Sequence, residues 1–547
     1  MPLFGALYVG TSGLQTSQEA LNVVAHNVTN ADTEGYVRQQ VSQGTREYNR
    51  LSIDYKGVAE MQVGLGVYIE EVRQFRDQFV DKSYRDEYGR QGFYDASFGA
   101  IEEVEEILGE LDGATFYESM TDIWSAIEEL VKDPSSEVCQ SMFVQYAQSF
   151  CEASNNVYND FCNYQDKLNF QIKTYVDRIN EIGNNIYELN NKIRAIESGG
   201  VEHANDLRDD RNLLIDELAK IANISYEVDH FGNVLVSLEG HNFVQMDRCN
   251  KMGCQADEND FYSCFWPDTA KFSYDNYGNK VFRPETAPVF NFNVEISSTI
   301  NTDIGALKGV VLARGDHRGT YADLMNPVTE DPDVEAYNKV KESIMMNIMA
   351  EFDGLVHNVV TAINGVIADN CDPSTGYLCY SGTTEPMQLF ERVGAKPDTP
   401  VDAKDPKSWF NAANITVNMD LLQYPTHLSM LKPDGSVDYK TAKNFEDAFN
   451  AKIYILNPTL TNPVSLSEYY SNLVAQVSNS GNVYKSLKEN QDLTVLSIEG
   501  TRQGNFGVST DEELSNMIKY QNAYNASSRY INVIDECLEH LINTLGA

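Results

Sequence analysis

Hydrophobic positions at the start of the chain recur at helical spacing. They step alternately by four and three residues, which places them on one stripe of a helix. The stripe contains Leu3, Leu7, Gly10, Leu14, Ser17, Leu21, Val24 and Val28. A run of turn formers between Asn27 and Gly35 ends this helix, and Tyr36 follows it. Because Gly10 and Ser17 interrupt the stripe, we expect it to be only moderately apolar and the helix to need a partner.

The C-terminal segment carries a matching pattern. Ser509 or Thr510 can cap a helix, and the acids at 511–513 lie favourably against the N-terminal helix dipole. An apolar seam then repeats at three-four spacing through Met517, Tyr520, Tyr524, Ser527, Ile531, Ile534, Leu538, Leu541 and Leu545. Two amphipathic helices at opposite ends predict a coiled coil built from both termini. The alternative is that each helix packs on an ordinary globular core.

The strongest periodic signal lies between these ends. It alternates four-three without a break through Leu168, Ile172, Tyr175, Ile179, Ile182, Ile186, Leu189, Ile193 and Ile196. Gly199 and Gly200 end it, and a following helix near 209–221 is expected to pack back antiparallel. After Ile224 the period changes to two around Gly232, which predicts a β-hairpin.

These patterns predict an α+β fold with paired terminal helices forming a coiled coil, a long helical-bundle domain and an inserted β-rich region. The predicted segments are 1–75, an N-terminal helix and β-leaning stretch that pairs with 508–547; 76–225, the first part of the helical bundle; 226–460, the β-rich insertion with a helix near 335–368; 461–507, the second part of the bundle; and 508–547, the C-terminal helix. Gly500 to Gly507 is expected to separate the last two helices.

Charge narrows the possible partners. The chain has 547 residues with 81 acidic and 41 basic side chains, a formal net charge of −40. Such a polyanion is repelled by nucleic acid and by anionic membrane surfaces, so neither is expected as a partner. The run 354–368 is too short to cross a membrane, and the N-terminus lacks the features of a secretory signal peptide. Composition alone therefore places the protein in the cytoplasm.

Nine cysteines are present, and their odd number leaves at least one without an intramolecular partner. Cys249, Cys254 and Cys264 are spaced too irregularly for a zinc knuckle, although His241 could be recruited as a fourth ligand. Cys371 and Cys379 flank a turn-forming loop and could close a local disulfide in an oxidising exterior. We expect most of the thiols to be free.

The sequence offers little for catalysis. It contains no His-Glu-x-x-His, no Gly-x-Ser-x-Gly and no phosphate-binding Gly-Lys-Ser/Thr loop. The carboxylates of "IEEVEEILGEL" are more typical of a solvated helix face than of acid–base chemistry. The expectation is a protein that is not an enzyme, with no catalytic residues, no metal site and no cofactor.

Both termini resemble those of a known family. "ALNVVAHNVTNADTEGYVRQ" and "GVSTDEELSNMIKYQNAYNASSRYINVIDECLEHLINTL" are similar to the end signatures of bacterial flagellar rod, hook and hook-associated proteins. Four further segments resemble the hook-associated members: "VGLGVYIEEVRQFRDQFVDKSYR", "ANDLRDDRNLLIDELAKI", "FNAANITVNMDLL" and "LSEYYSNLVAQVSNSG". His26 departs from the family, which more often carries Asn there, as does the high cysteine count.

The resemblance implies a structural component of the bacterial flagellum at the junction between hook and filament, which self-assembles through its paired terminal helices. It implies type III export without a cleaved signal peptide and an extracellular location. The implied partners are hook protein, a second hook-associated junction protein, an export chaperone and other axial subunits. The alternatives are a hook or other axial flagellar protein, or a secreted coiled-coil adhesin or binding protein.

The residues expected to form the assembly interface lie on the two terminal helices and in the turn after the first. At the N-terminal end they are Leu14, Leu21, Val24, Asn27, Val28, Asn30, Gly35 and Tyr36, and at the C-terminal end Tyr524, Ile531, Leu538 and Leu541.

Overall fold

The computed structural model describes residues 2–53, 60–109, 115–200, 202–275, 277, 279–292, 294–326, 331–380, 383–394 and 408–545. The helices are α1 (Pro2–Thr29), α2 (Gln78–Leu108), α3 (Thr115–Lys132), α4 (Glu137–Glu197), α5 (Asn205–Ile221), α6 (Ala306–Arg314), α7 (Val334–Val340), α8 (Ile344–Asn370), α9 (Met419–Gln423), α10 (Tyr439–Asn450), α11 (Leu466–Phe506) and α12 (Thr510–Leu545).

Short antiparallel strands occur between the helices. They are β1 (Gln39–Thr45), β2 (Asn49–Ile53), β3 (Glu60–Val63), β4 (Val67–Gln74), β5 (Ile224–Val228), β6 (Val234–Leu238), β7 (His241–Val244), β8 (Gly253–Ala256), β9 (Tyr262–Phe265), β10 (Phe272–Tyr274), β11 (Lys280–Phe282), β12 (Phe390–Arg392) and β13 (Ile415–Val417). They form small sheets, β1 with β4, β2 with β3, β8 with β9, β10 with β11, β12 with β13, and the three-stranded β5-β6-β7. The predicted α+β class, with paired terminal helices, is confirmed.

The chain divides into two compact units. Unit 1 comprises Met1–Arg90, Arg178–Met252 and Asp492–Ala547, and unit 2 comprises Gln91–Asp177 and Gly253–Gln491. Helices α2, α4 and α11 each contribute residues to both units. The five-segment division predicted from the sequence remains a prediction.

Unit 1 contains the terminal helices and the antiparallel packing of α5 on α4. Two ion pairs show that α5 runs antiparallel to α4: Arg208 near the start of α5 bonds to Glu197 at the end of α4, while Glu217 farther along α5 bonds to Arg178 earlier in α4. The apolar seam of α4 is buried at Ile179, Ile182, Ile186 and Ile193, whereas Ile196 at its end is exposed. The β5–β6 hairpin turns at Gly232, whose φ of 79° favours glycine.

Unit 2 has an aromatic core. The ring of Phe116 lies 4.9 Å from that of Phe352, 5.1 Å from Tyr470 and 5.8 Å from Phe150, measured between ring centroids. These four side chains are buried. Phe352 belongs to α8, a helix that is buried along most of its length. The strands of unit 2 form three separate two-stranded sheets rather than one large sheet, and Phe390 of β12 packs against Phe150.

The break between the last two helices is shorter than predicted, because α12 begins at Thr510, soon after α11 ends. Helix α11 runs through Gly500 and Gly504 and ends at Phe506, so the expected break beginning at Gly500 does not occur. Glycine lowers helix stability by about 1 kcal/mol per residue, but tertiary contacts override propensity. Arg502 donates hydrogen bonds to Asp81 and Asp216, and Phe506 is buried. Those contacts hold the last turns of α11 in place.

Candidate assembly site at the paired terminal helices

Small residues let α1 and α12 approach closely. The helices run antiparallel, since Gly10 faces Ile531 whereas Gly13, later in α1, faces Ser527, earlier in α12. A Cβ on Gly10 would lie 2.8 Å from Cγ1 of Ile531, closer than real Cβ atoms come to other atoms. Ser17, on the same face, is buried. Gly10, which interrupts the apolar stripe, is therefore a point of close approach between the two helices.

The predicted interface residues are placed on this pair to different degrees. Val24 is buried, while half-buried positions are occupied by Leu14, Leu21, Val28, Tyr524, Ile531 and Leu538. Leu541, near the end of α12, is 41% exposed and lies outside the buried seam. The side chains of Leu3 and Leu545 lie outside the described part of the structure.

Asn27 is the polar centre of the site and is only 1% exposed. Its carboxamide oxygen accepts hydrogen bonds from the Gln39 backbone N–H at 3.0 Å and from the Tyr36 hydroxyl at 2.8 Å. Its amide group donates to the Gln39 carbonyl at 2.9 Å and to Glu513 at 3.2 Å. The two acceptor and two donor positions of an asparagine side chain are thus all used. This residue connects the end of α1, the first strand and α12.

Charge strengthens the same connection. Nε of Arg38 donates to Glu513 at 2.8 Å, and another guanidinium nitrogen donates to Glu512 at 2.8 Å. Glu513 is 1% exposed and lies in the first turn of α12, where the helix dipole favours a carboxylate. A buried carboxylate that accepts from both Arg38 and Asn27 has the partners that burial requires.

Asn30 and Gly35 shape the turn after α1. The Asn30 amide donates to the His26 carbonyl at 3.1 Å, and its oxygen accepts from the Thr33 hydroxyl. Gly35 has a φ of 77°, a left-handed conformation in which a side chain is strained. Both residues therefore act within their own turn and present Tyr36 to Asn27. His26 itself is exposed and has its Nε2 3.5 Å from Asp206.

The surrounding carboxylates favour a protonated tyrosine. Burial raises the pKa of Tyr36, and Asp206, Asp209 and Glu513 raise it further. Burial also raises the pKa of Asp209 to about 7, although the hydrogen bond from the Val37 N–H and the positive charge of Arg76 both lower it. The Tyr36 hydroxyl thus stays available to donate to Asn27.

Arg38, Gln39 and Glu513 complete this site but were not among the predicted interface residues. Arg38 and Gln39 are the last two residues of the quoted N-terminal signature, but nothing local to that segment shows that they bond to Glu513 and Asn27. Glu513 was read only as a dipole-stabilising acid, and its partner Asn27 is 486 positions away in the sequence.

The outward side of α12 exposes large apolar residues. Ile518 is 61% exposed and Val533 is 53% exposed, and Leu514 is exposed on the same side of the helix. Near the end of α12, Leu541 and Ile542 are also exposed. Exposed apolar positions along one helix are typical of a surface that packs against another subunit. Among the described residues, no group of three or more His, Cys, Asp or Glu side chains is arranged to hold a metal ion, and no helix is long and apolar enough to span a membrane.

Three family descriptions match the chain in order. "Flagella basal body rod protein" matches residues 7–36, "Flagellar hook-associated protein FlgK helical domain" matches 101–278, and "Flagellar basal body rod FlgEFG protein C-terminal" matches 505–544. The first and last matches contain the residues that form the α1–α12 pair.

Whole-chain relatives carry a single name. Flagellar hook-associated protein 1 of Bacillus subtilis (strain 168) is 25% identical, with 99% of this chain and 98% of the relative covered. The proteins of the same name from Salmonella typhimurium and Escherichia coli K12 are 22% and 20% identical, with 97% of this chain and 98% of each relative covered. The flagellar hook junction protein FlgK from Burkholderia pseudomallei has a similar fold, with a TM-score of 0.55, 11% identity, and coverage of 78% of this chain and 100% of that one.

Proposed function

We propose that this chain, which is homologous along nearly its whole length to flagellar hook-associated protein 1, is a structural component of the bacterial flagellum at the junction between hook and filament. The similarity runs from end to end and preserves the order of the matched segments. The proposed mode of action is assembly rather than catalysis.

The observation that carries the proposed mechanism is the unequal packing of α12. One face is joined to α1 through small residues and the Asn27 network, while the opposite face exposes Leu514, Ile518 and Val533. Within one chain the pair is formed but incompletely covered. Packing against neighbouring subunits would bury these side chains, and each buried Leu, Ile or Val contributes about 1.5–3 kcal/mol.

In this proposal the predicted interface residues have two roles. Asn27, Asn30, Gly35 and Tyr36 fix the geometry of each subunit's terminal pair. The seam residues Leu14, Leu21, Val24, Val28, Tyr524, Ile531 and Leu538 hold the two helices together, and Leu541 belongs to the surface that neighbouring subunits cover. In this proposal the terminal pair is formed within each subunit, and its outer face packs against neighbouring subunits.

The proposed neighbours are hook protein on one side and a second hook-associated junction protein on the other, together with further copies of this chain. An export chaperone is proposed for the stage before assembly. The proposed location is the extracellular flagellum, reached through type III export without a cleaved signal peptide. The net charge of −40 disfavours nucleic acid and anionic membranes as partners.

The test compares two variants that add the same charge to α12. In a strain lacking the gene, a plasmid supplies wild type, Val533→Asp or Asn532→Asp; both positions are exposed. Wild type and Asn532→Asp should restore filaments, whereas Val533→Asp should leave hooks without filaments, as seen by electron microscopy. Filaments in the strain lacking the gene would contradict the junction function. Filaments in the Val533→Asp strain would contradict the assigned face alone.

A further inference from the structure

Cys254 and Cys264 face each other across the β8–β9 hairpin. The carbonyl of Cys264 accepts a hydrogen bond from the Val289 N–H at 3.1 Å, on the side away from β8. Because the N–H and C=O of a strand residue point the same way, Cys254 and Cys264 form a non-hydrogen-bonded pair. Such pairs have Cα atoms about 4.5 Å apart and the closest side chains of an antiparallel ladder. A disulfide needs Cα atoms roughly 4.4–6.8 Å apart.

The two thiols of this pair already interact. Their side chains are hydrogen-bonded to each other, and this bond lowers the pKa of Cys254 while it and burial raise the pKa of Cys264. Cys264 is buried and Cys254 is half-buried. The reachable thiol is therefore also the one that ionises more readily, and the thiolate is the form that attacks disulfides.

Cys371 and Cys379 form a second pair, with their sulfur atoms 2.6 Å apart. The loop between them is closed by a hydrogen bond from the Asp372 N–H to the Tyr377 carbonyl at 3.0 Å. The Asp372 carboxylate accepts from the Ser374 N–H and hydroxyl, which fixes the turn. Backbone and side-chain hydrogen bonds thus hold this pair together without a covalent link.

We propose that Cys254–Cys264 and Cys371–Cys379 are two disulfide-forming sites that close in the native fold when the protein meets a low-molecular-weight disulfide. For the first pair, the Cys254 thiolate attacks one sulfur of the oxidant, breaks its S–S bond and releases one small thiolate. Cys264, once deprotonated, then attacks the Cys254 sulfur and releases the second. The protein loses two protons and two electrons per pair, and the oxidant is reduced to two thiols. This inference does not rest on the proposed function.

The test uses the full chain and glutathione. Reduced protein is equilibrated without denaturant in a buffer holding both oxidised and reduced glutathione, quenched with acid, denatured and treated with N-ethylmaleimide. Peptide mass mapping should find Cys254 linked to Cys264, Cys371 linked to Cys379, and the other five of the nine cysteines labelled. Labelling of both members of a pair, or linkage to a different cysteine, overturns the assignment of that pair.

Two controls separate native geometry from chance collision. The same equilibration in denaturant should spread the linkages over many cysteine combinations, because the fold no longer selects partners. Cys264→Ser should leave Cys254 linked to no other cysteine, so that it carries either glutathione or N-ethylmaleimide, while the Cys371–Cys379 link still forms, with circular dichroism reporting the fold. Cys537→Ser, which removes an exposed thiol, should keep both links. Loss of either link in Cys537→Ser would show that the pairing depends on exchange through that thiol and would overturn the proposal.

Discussion

The core of unit 2 and the terminal helix pair of unit 1 bury hydrophobic side chains in different ways. In unit 2, Phe116, Phe352 and Tyr470 are fully enclosed with ring centroids about 5 Å apart. In the terminal pair, Tyr524, Ile531 and Leu538 remain half-buried. The arrangement of the two terminal helices is fixed by the close approach at Gly10 and by the four hydrogen bonds of Asn27, and less by the burial of large apolar side chains.

The difference indicates what each region is for. A closed aromatic core stabilises its own unit and leaves none of the aromatic side chains of the cluster exposed for a partner to cover. The terminal pair is fixed in geometry by buried polar groups, yet keeps apolar surface exposed on α12. Buried polar networks favour one arrangement over many, while exposed apolar surface favours association. The first region is complete in one chain, whereas in the proposed function neighbouring subunits cover the exposed surface of the second.

The largest effect should come from emptying the closed core. Phe352→Ala removes a fully buried ring that contacts Phe116 and Phe161, so we expect unit 2 to lose about 3–5 kcal/mol in urea unfolding. Phe170→Ala is the control, because that ring is 69% exposed, and it should change stability by less than about 0.5 kcal/mol. Similar losses in both variants would show that the aromatic cluster is not the core of unit 2.

The terminal pair should depend most on its polar centre. Asn27→Ala leaves the Gln39 N–H, the Tyr36 hydroxyl and Glu513 short of a partner, which costs about 2–3 kcal/mol of local stability. Hydrogen exchange of α1 and α12 amides should accelerate accordingly. Asn30→Ala should have a smaller effect, because Asn30 bonds only within its own turn among the described contacts. Equal acceleration of hydrogen exchange in the two variants would contradict the claim that Asn27 is the polar centre of the terminal pair.

The stability of unit 2 should depend on pH through one buried carboxyl group, that of Glu351. Glu351 is fully buried and accepts hydrogen bonds from Asn457 and Gln476, and burial raises its pKa from 4.5 to about 7. Since the unfolded chain releases this proton more readily, the group's contribution to stability falls as pH rises from about 4.5 to about 7. Glu351→Gln should therefore be more stable than wild type at pH 8, by about 1–3 kcal/mol, and the gap should shrink at pH 5. A pH-independent gap would contradict this reading.

The smallest predicted effect has opposite signs at two glycines of α1. Gly5→Ala meets no atom within 4 Å and should stabilise the helix by about 0.5–1 kcal/mol. Gly10→Ala places a methyl group against Ile531 and should destabilise the pair by about 1 kcal/mol or more. Hydrogen exchange of α12 amides separates the two. Stabilisation at both sites would mean that α12 does not approach α1 closely at Gly10.

The sequence predicted the repeating seams well, because three-four spacing reflects helix geometry directly. The half-buried series from Tyr524 to Leu538 and the buried isoleucines of α4 follow from that spacing. Periodicity failed at Gly10, since a pattern scores glycine as a missing apolar side chain and carries no information about a helix that approaches there. The expectation that glycine ends a helix failed at Gly500, where contacts made by Arg502 outweigh local propensity.

The polar part of the site was only half predictable. Asn27, Gly35 and Tyr36 stood out as turn formers and through the family resemblance, but nothing local shows that Asn27 bonds to Glu513. Long-range hydrogen bonds depend on the packing of whole elements, so their partners are visible only in the structure. The exposed face of α12 was likewise hidden, because Ile518 and Val533 do not belong to the seam.

The central claim is that this protein occupies the boundary between hook and filament. Immunogold electron microscopy of intact flagella, from the bacterium that makes the protein, tests it most directly. Antibodies raised against unit 2 should place gold particles at the hook–filament boundary, with a strain lacking the gene as the unlabelled control. Label spread along the hook, the filament or the cell surface, and absent from that boundary, would contradict the account.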